Sequence, residues 1–141
     1  MAIFGVWRNG HITVNGVDLS DHAREITLET SVAELPDNVH GDNTAKVRAG
    51  LENWTINVTF LQDFAASEVD ATLRGASIGL VGHAAFNIIV GADAAAVSTT
   101  NPRYSGNCIL SSYRPFGGQQ GVNLEAQATF RAAGNLTRQT A

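Results

Sequence analysis

The stretch Leu51–Leu61, LENWTINVTFL, alternates without a break. Trp54, Ile56, Val58 and Phe60 fall on one side of an extended chain, and Asn53, Thr55, Asn57 and Thr59 fall on the other, because successive side chains in a strand point to opposite faces. The apolar side requires a core. The polar side requires a different neighbour, which could be bulk water, a sugar, a substrate or the inside of an assembly.

Two other segments repeat the pattern. In EITLE, Ile26 and Leu28 oppose Glu25, Thr27 and Glu29, within a strand predicted over Glu25–Val32. In NLEAQATFRA, Leu124, Ala126, Ala128, Phe130 and Ala132 alternate with Asn123, Glu125, Gln127, Thr129 and Arg131. Further strands are predicted at Ala84–Val90 and Tyr104–Tyr113, and Asn15-Gly16 between His11–Val14 and Val17–Leu19 is the dipeptide best suited to a two-residue hairpin turn. The period changes once. In FAASEVDATLRG, Phe64 or Ala65, Val69 and Leu73 line one side of a short helix, with Ser67 as its cap and Gly75 as its stop.

Pro36–Gly50 is polar and aperiodic, and is predicted as a long loop, a length that in compact domains usually serves an interaction. PFGGQQG is a glycine-rich turn, and residues 135–141 are expected to form a loose polar tail. With 141 residues and no internal repeat, the chain reads as one domain, large enough to bury roughly 70% of its unfolded surface without staples.

Charge narrows the function. Nine Lys plus Arg against 13 Asp plus Glu give a net charge of −4, which argues against tight binding to nucleic-acid phosphates. Cys108 is the sole cysteine, so an intrachain disulfide is excluded, and its neighbours Ile109 and Leu110 mark it as a small buried residue. No apolar run reaches the roughly 20 residues of a membrane span, nor does the start resemble a signal peptide. The expectation is a protein made in a cytoplasm.

Catalytic motifs fail on context. GGQQG lacks the Lys-Ser or Lys-Thr of a phosphate loop, His11, His22, His40 and His83 are far apart, and no GxSxG elbow occurs. Asp18 and Asp21 in DLSD read as turn residues bonding their own backbone rather than as an acid–base pair. The Asn-x-Thr patterns at Asn53 and Asn57 follow from a Thr/Asn-rich strand face, and together with Asn135 are not read as glycan sites. No catalytic, cofactor-binding or metal site is predicted.

NGVDLSDHAREITLET at Asn15–Thr30, WTINVTFLQDFAASEVDATL at Trp54–Leu73 and AAVSTTNPRYSGNCILSSYRPFGGQQGVNLEAQATFRAAGNLTR at Ala95–Arg138 together resemble the major tail tube proteins of long-tailed bacteriophages. The resemblance implies a mainly β fold, a two-sheet antiparallel β-sandwich with one flanking α-helix. It implies rings of six copies stacked into a virion tail tube, with tape-measure and tail-terminator proteins as further partners. DNA would pass through without tight binding, and no membrane or cofactor is involved.

On that reading the bore is lined by Thr27, Glu29, Asn53, Thr55, Asn57, Thr59, Glu125, Gln127, Thr129 and Arg131. A loop holding Asp37, Asn38, His40, Asp42, Asn43, Lys46 and Arg48 would reach a neighbouring ring. The alternative is a monomeric β-sandwich that binds carbohydrate or a cell-surface protein through Trp7, Trp54 and the long loop. An enzyme ranks third.

Overall fold

A computed structural model describes residues 7, 10–74, 85–93 and 95–140. Strand β1 (His11–Val14) turns into β2 (Val17–Asp18) through Asn15 and Gly16 at φ 49° and 82°, the paired positive angles that Asn-Gly tolerates best. Next come β3 (Ala23–Pro36), β4 (Val47–Leu61), α1 (Val69–Leu73) and β5 (Phe86–Gly91). The chain ends with β6 (Arg103–Arg114), β7 (Glu125–Ala132) and β8 (Thr137–Gln139). Every pairing is antiparallel.

The mainly β, antiparallel class holds, and the ladder has a simpler form than two separate sheets. It is one sheet in the order β2-β1-β5-β6-β7-β4-β3, with β8 also on β6. A single sheet can enclose a core only by curling over its own inner face, and the side chains show that curl. Trp54 on β4 packs against Gly106 on β6, two strands away, so closely that a Cβ there would lie 2.8 Å from the indole and 2.9 Å from the Asn135 carbonyl. The indole Nε1 donates to Gly134 O at 2.9 Å. Phe86 on β5 meets Phe130 on β7 edge to face, with ring centroids 5.9 Å apart.

All these inner positions follow from alternation. Trp54, Ile56, Val58 and Phe60 are at most 2% exposed, as are Ala126, Ala128 and Phe130 opposite them. Register pairs Phe60 with Ala126 and Val58 with Ala128, so bulk on β4 meets small residues on β7 and the layer fills without overpacking. Each large side chain buried here contributes about 1.5–3 kcal/mol. Cys108 belongs to this core as expected, fully buried, and burial pushes its thiol up to about 12.

Three expectations are corrected. The helix is a single turn: Ser67 has φ 62° and does not cap it, and the capping position, Glu68, makes no side-chain cap bond. Val69 and Leu73 do bury together against the core, whereas Phe64 is 56% exposed. The long loop is shorter at both ends than expected, because Pro36 ends β3 and Val47–Gly50 begin β4, paired as Pro36↔Val47 and Leu35↔Arg48, which leaves residues 37–46 as the connection. The tail is not loose, since β8 pairs with Arg103–Ser105 of β6. The expected stop at Gly75, the strand start at Ala84, His83 and Ala141 lie outside the described residues.

Candidate functional site

The three polar strand faces form one surface. Across β3, β4 and β7 the rows are Glu25–Thr59–Gln127, Thr27–Asn57–Thr129 and Glu29–Thr55–Arg131. Thr129 Oγ1 donates to Asn57 Oδ1 at 2.9 Å, and Arg24 pairs with Glu125 at 2.7 Å at the lower end. Between the first two rows lies a shallow depression of about 290 Å³. Asn53 stands apart: it pairs with Ser31, beyond the last β4–β7 pair at Thr55↔Arg131.

The rows continue onto β6 as Arg114 beside Gln127, Ser112 beside Thr129 and Ile109 beside Arg131. Sequence reasoning missed these residues because a bulge between Leu110 and Ser112 shifts the alternation by one. The middle row is entirely neutral. One outer row runs from the Glu25 carboxylate to the Arg114 guanidinium, and the other from Glu29 to Arg131 and then Ile109.

Beyond Thr55, β3 and β4 have only each other as partners among the described residues, so Ser31–Asn53 projects as a two-stranded arm. Every residue from Glu29 to Asn53 except Asp42 and Gly50 is exposed. Its tip is built by its own polar side chains. Asn38 Oδ1 accepts from Lys46 N and its Nδ2 donates to Thr44 O, while Asp42 Oδ2 accepts from Val39 N. Lys46 pairs with Asp42 at 3.1 Å and Arg48 with Asp37 at 2.9 Å.

The Val39 amide first, and then Lys46, hold the Asp42 carboxyl below its usual range. His40 and Asn43 lie exposed in the same turn. The arm also carries apolar side chains to solvent: Val32, Leu35, Val39, Val47 and Leu51, the last 88% exposed.

The DLSD turn behaves as its composition dictates. Asp18 Oδ1 accepts from both the amide and the hydroxyl of Ser20, and the Ser20 amide bond is 2.9 Å. The Ser20 hydroxyl donates to Asp18, with His11 Nδ1 3.3 Å away. One cluster escaped the sequence. His22 places Nδ1 2.8 Å from Asp21 and Nε2 2.9 Å from Asp63 and 3.4 Å from Glu68.

Carboxylates at both nitrogens favour the doubly donating, protonated form of the His22 ring. Burial lowers its pKa, but hydrogen bonds to Asp63 and Asp21, with the charges of Asp21 and Glu68, raise it above the ordinary value on balance. His22, Asp63 and Glu68 place donor atoms within 4.8 Å of one another. In this state they act as an ionic clamp fastening the β2–β3 turn to the approach to α1. Their sequence separation left no spacing signal.

Trp54 is 2% exposed and bonded through its Nε1, so it presents no platform to a sugar. Trp7 is half exposed and donates to Ala92 O at 3.0 Å, beside an apolar groove of about 440 Å³ that includes Ile26, Leu28, Val90 and Tyr104.

No protein-family profile and no curated protein matches the sequence. Solved structures do match the fold. A chain in the tail of an empty gene transfer agent particle, refined with C6 symmetry, aligns with a TM-score of 0.74 at 12% identity over 99% of this chain and 100% of that one. A chain in the virion of the native gene transfer agent particle gives 0.74 at 10% identity over 94% and 96%. A chain in the six-fold symmetrised baseplate of the anti-feeding prophage gives 0.59 at 10% identity over 99% and 98%. At these identities the likeness carries the fold, end to end.

Proposed function

We propose that this chain is a structural protein of a virion tail, which self-assembles into six-membered rings that stack into a tube through which DNA passes. The observation that carries the reading is the three-strand polar face ending at β3, a 14-residue edge strand that pairs only with β4 among the described residues. An exposed edge of this length is a ready template for another strand, and proteins that stay monomeric usually blunt it with Lys, Pro or bulges. Here Lys is lacking, Pro occurs only at the end, and the two bulges lie to either side of Glu25–Val32, whose ladder is continuous. A neighbouring copy would complete the edge and extend the polar face from subunit to subunit.

Such an extended face suits a conduit. Its lining would be Thr27, Glu29, Thr55, Asn57, Thr59, Gln127, Thr129 and Arg131, with Asn53 and Glu125 at its ends. It stays wet, and its mixed or neutral charge avoids gripping phosphate. The six-fold symmetry of the tail and baseplate assemblies that share the fold supports the ring number. Tape-measure and terminator proteins would be the tube's further partners, inside it and at its end. The role is mechanical, and no catalytic step is assigned to it.

Size-exclusion chromatography with negative-stain microscopy tests the proposal. Six-fold rings or tubes are expected as concentration rises. A protein that remains monomeric at every concentration overturns it.

A further inference from the structure

His22 stands where two distant stretches of chain meet. Its backbone is fixed against the end of β4, since His22 N donates to Leu19 O at 3.1 Å and His22 O accepts from Leu61 N at 2.7 Å. Just past that strand, Asp63 Oδ1 accepts from Ala65 N at 2.9 Å, which leaves Oδ2 for the ring, 2.9 Å from His22 Nε2. Asp70 N donates to Asp63 O at 3.1 Å and Thr72 N to Glu68 O at 3.0 Å, so the segment bearing both carboxylates is tied into α1. Glu68 Oε2 completes the group, 3.4 Å from the same nitrogen. Backbone bonds, and not the ion pairs alone, bring these three side chains together.

We infer that His22, Asp63 and Glu68 form a binding site for a divalent cation of the zinc class, which fastens the β2–β3 turn to the approach to α1. Ligand atoms around a tetrahedral zinc ion lie roughly 3.3 Å apart. The spacings of 2.9 and 3.4 Å from Nε2 bracket that value, and all three donor atoms lie within 4.8 Å of one another. Glu68, a third exposed, has the freedom to close the widest gap. With Nε2 on the metal, Nδ1 carries the ring proton and donates to Asp21, 2.8 Å away, the outer carboxylate that holds a metal-binding histidine in its tautomer.

Charge favours the same occupant. Asp21, Asp63 and Glu68 surround one ring, and no Lys or Arg pairs with them among the described residues. A protonated His22 offsets one of these three negative charges. A dication that displaces the Nε2 proton to solvent offsets two. The imidazole selects zinc over calcium or magnesium, which prefer oxygen ligands throughout, and the partly exposed carboxylates leave a path for the ion and a fourth position for water. The site is independent of whether the chain forms a tube.

Titration of zinc into the chelator-treated, dialysed full chain, followed by calorimetry, tests the site. One zinc per chain is expected, and in magnetic resonance spectra the His22 ring should be the one that shifts among the four histidines. His22→Gln and Asp63→Asn should each weaken zinc binding at least tenfold, Asp21→Asn should weaken it about tenfold through the ring it orients, and His11→Gln should leave it unchanged. Saturating zinc should raise the melting temperature of the unmodified chain, because an ion bound only by the folded state stabilises it, and should leave that of His22→Gln where it was.

No heat of binding at millimolar zinc overturns the inference, and so does a shift at another histidine in place of His22. Calcium that competes with zinc on equal terms, or an equal rise in melting temperature for the unmodified chain and His22→Gln, would also defeat it. Circular dichroism checks the fold of each variant, and the histidine resonances of the unmodified chain give the answer without any substitution.

Discussion

At the scale of single residues, the fold depends on a few side chains that alternation aims inward. Phe130 is fully buried between Ile56 and Leu110 on its neighbouring strands and meets Phe86 edge to face. Phe130→Ala should therefore cost about 3–5 kcal/mol, the usual range for an aromatic truncated in a core, read as a lower urea midpoint with an unchanged slope. A loss below about 1 kcal/mol would mean that the curled sheet relaxes into the space.

His22 gives a pH signature. Its folded pKa is raised, so its contribution is present in full below the unfolded value of about 6.5 and fades as pH climbs through the folded one. His11 runs the other way, because burial and then the charge of Arg103 lower its pKa, and its contribution grows as pH rises. The difference between wild type and His22→Gln isolates the clamp. The stabilising advantage of wild type in melting temperature should shrink between pH 6 and 8.5, and an advantage that is constant or grows with pH would contradict the assignment.

At the scale of elements, legibility tracked burial. Strands with one buried face, such as Trp54–Phe60 and Ala126–Phe130, announce themselves because a core selects every second residue. The arm did not, because both its faces meet water and nothing imposes an alternation on Val47–Gly50; the bulge between Val32 and Glu34 breaks the register as well. Strand β8 was hidden for another reason: it is three residues long and exists only because β6 offers an edge beyond the end of β7. The helix was over-read in length because Phe64, placed on its apolar side by spacing, instead joins Phe116 at the surface.

The arm's marginal stability makes a kinetic prediction. In free subunits its ladder should open locally, so trypsin should cut after Lys46 and Arg48 before anywhere in the core strands. In assembled tubes the same bonds should be cut at least tenfold more slowly. Equal rates in the two states would show that the arm is not covered on assembly.

At the scale of the whole molecule, the sequence pointed to the polar residues singly, and only the register shows that three strands bring them into rows. That register identifies the most informative position for testing the bore. A Lys at Thr55 would lie directly beside Arg131, and one at Gln127 beside Arg114, where like charges opposite each other disturb the sheet itself. Asn57 sits in the neutral row between Thr27 and Thr129. Asn57→Lys gives up the bond from Thr129, an exposed contact worth about 0.5–1.5 kcal/mol, and so should fold and assemble.

In the proposed tube, Asn57→Lys repeats around each ring and along each stack, lining the path with positive charge. Tubes of the variant should then retain a short DNA duplex at roughly 50 mM salt and release it at roughly 200 mM, because binding by several phosphate contacts weakens steeply with salt. The retained DNA should also resist nuclease, since it lies inside the wall, whereas unmodified tubes should retain little at either salt. Retained DNA that nuclease digests would place Asn57 on the outside of the tube. A variant that folds but forms no tubes would instead make this face a contact between subunits, and either result would require another surface to line the channel.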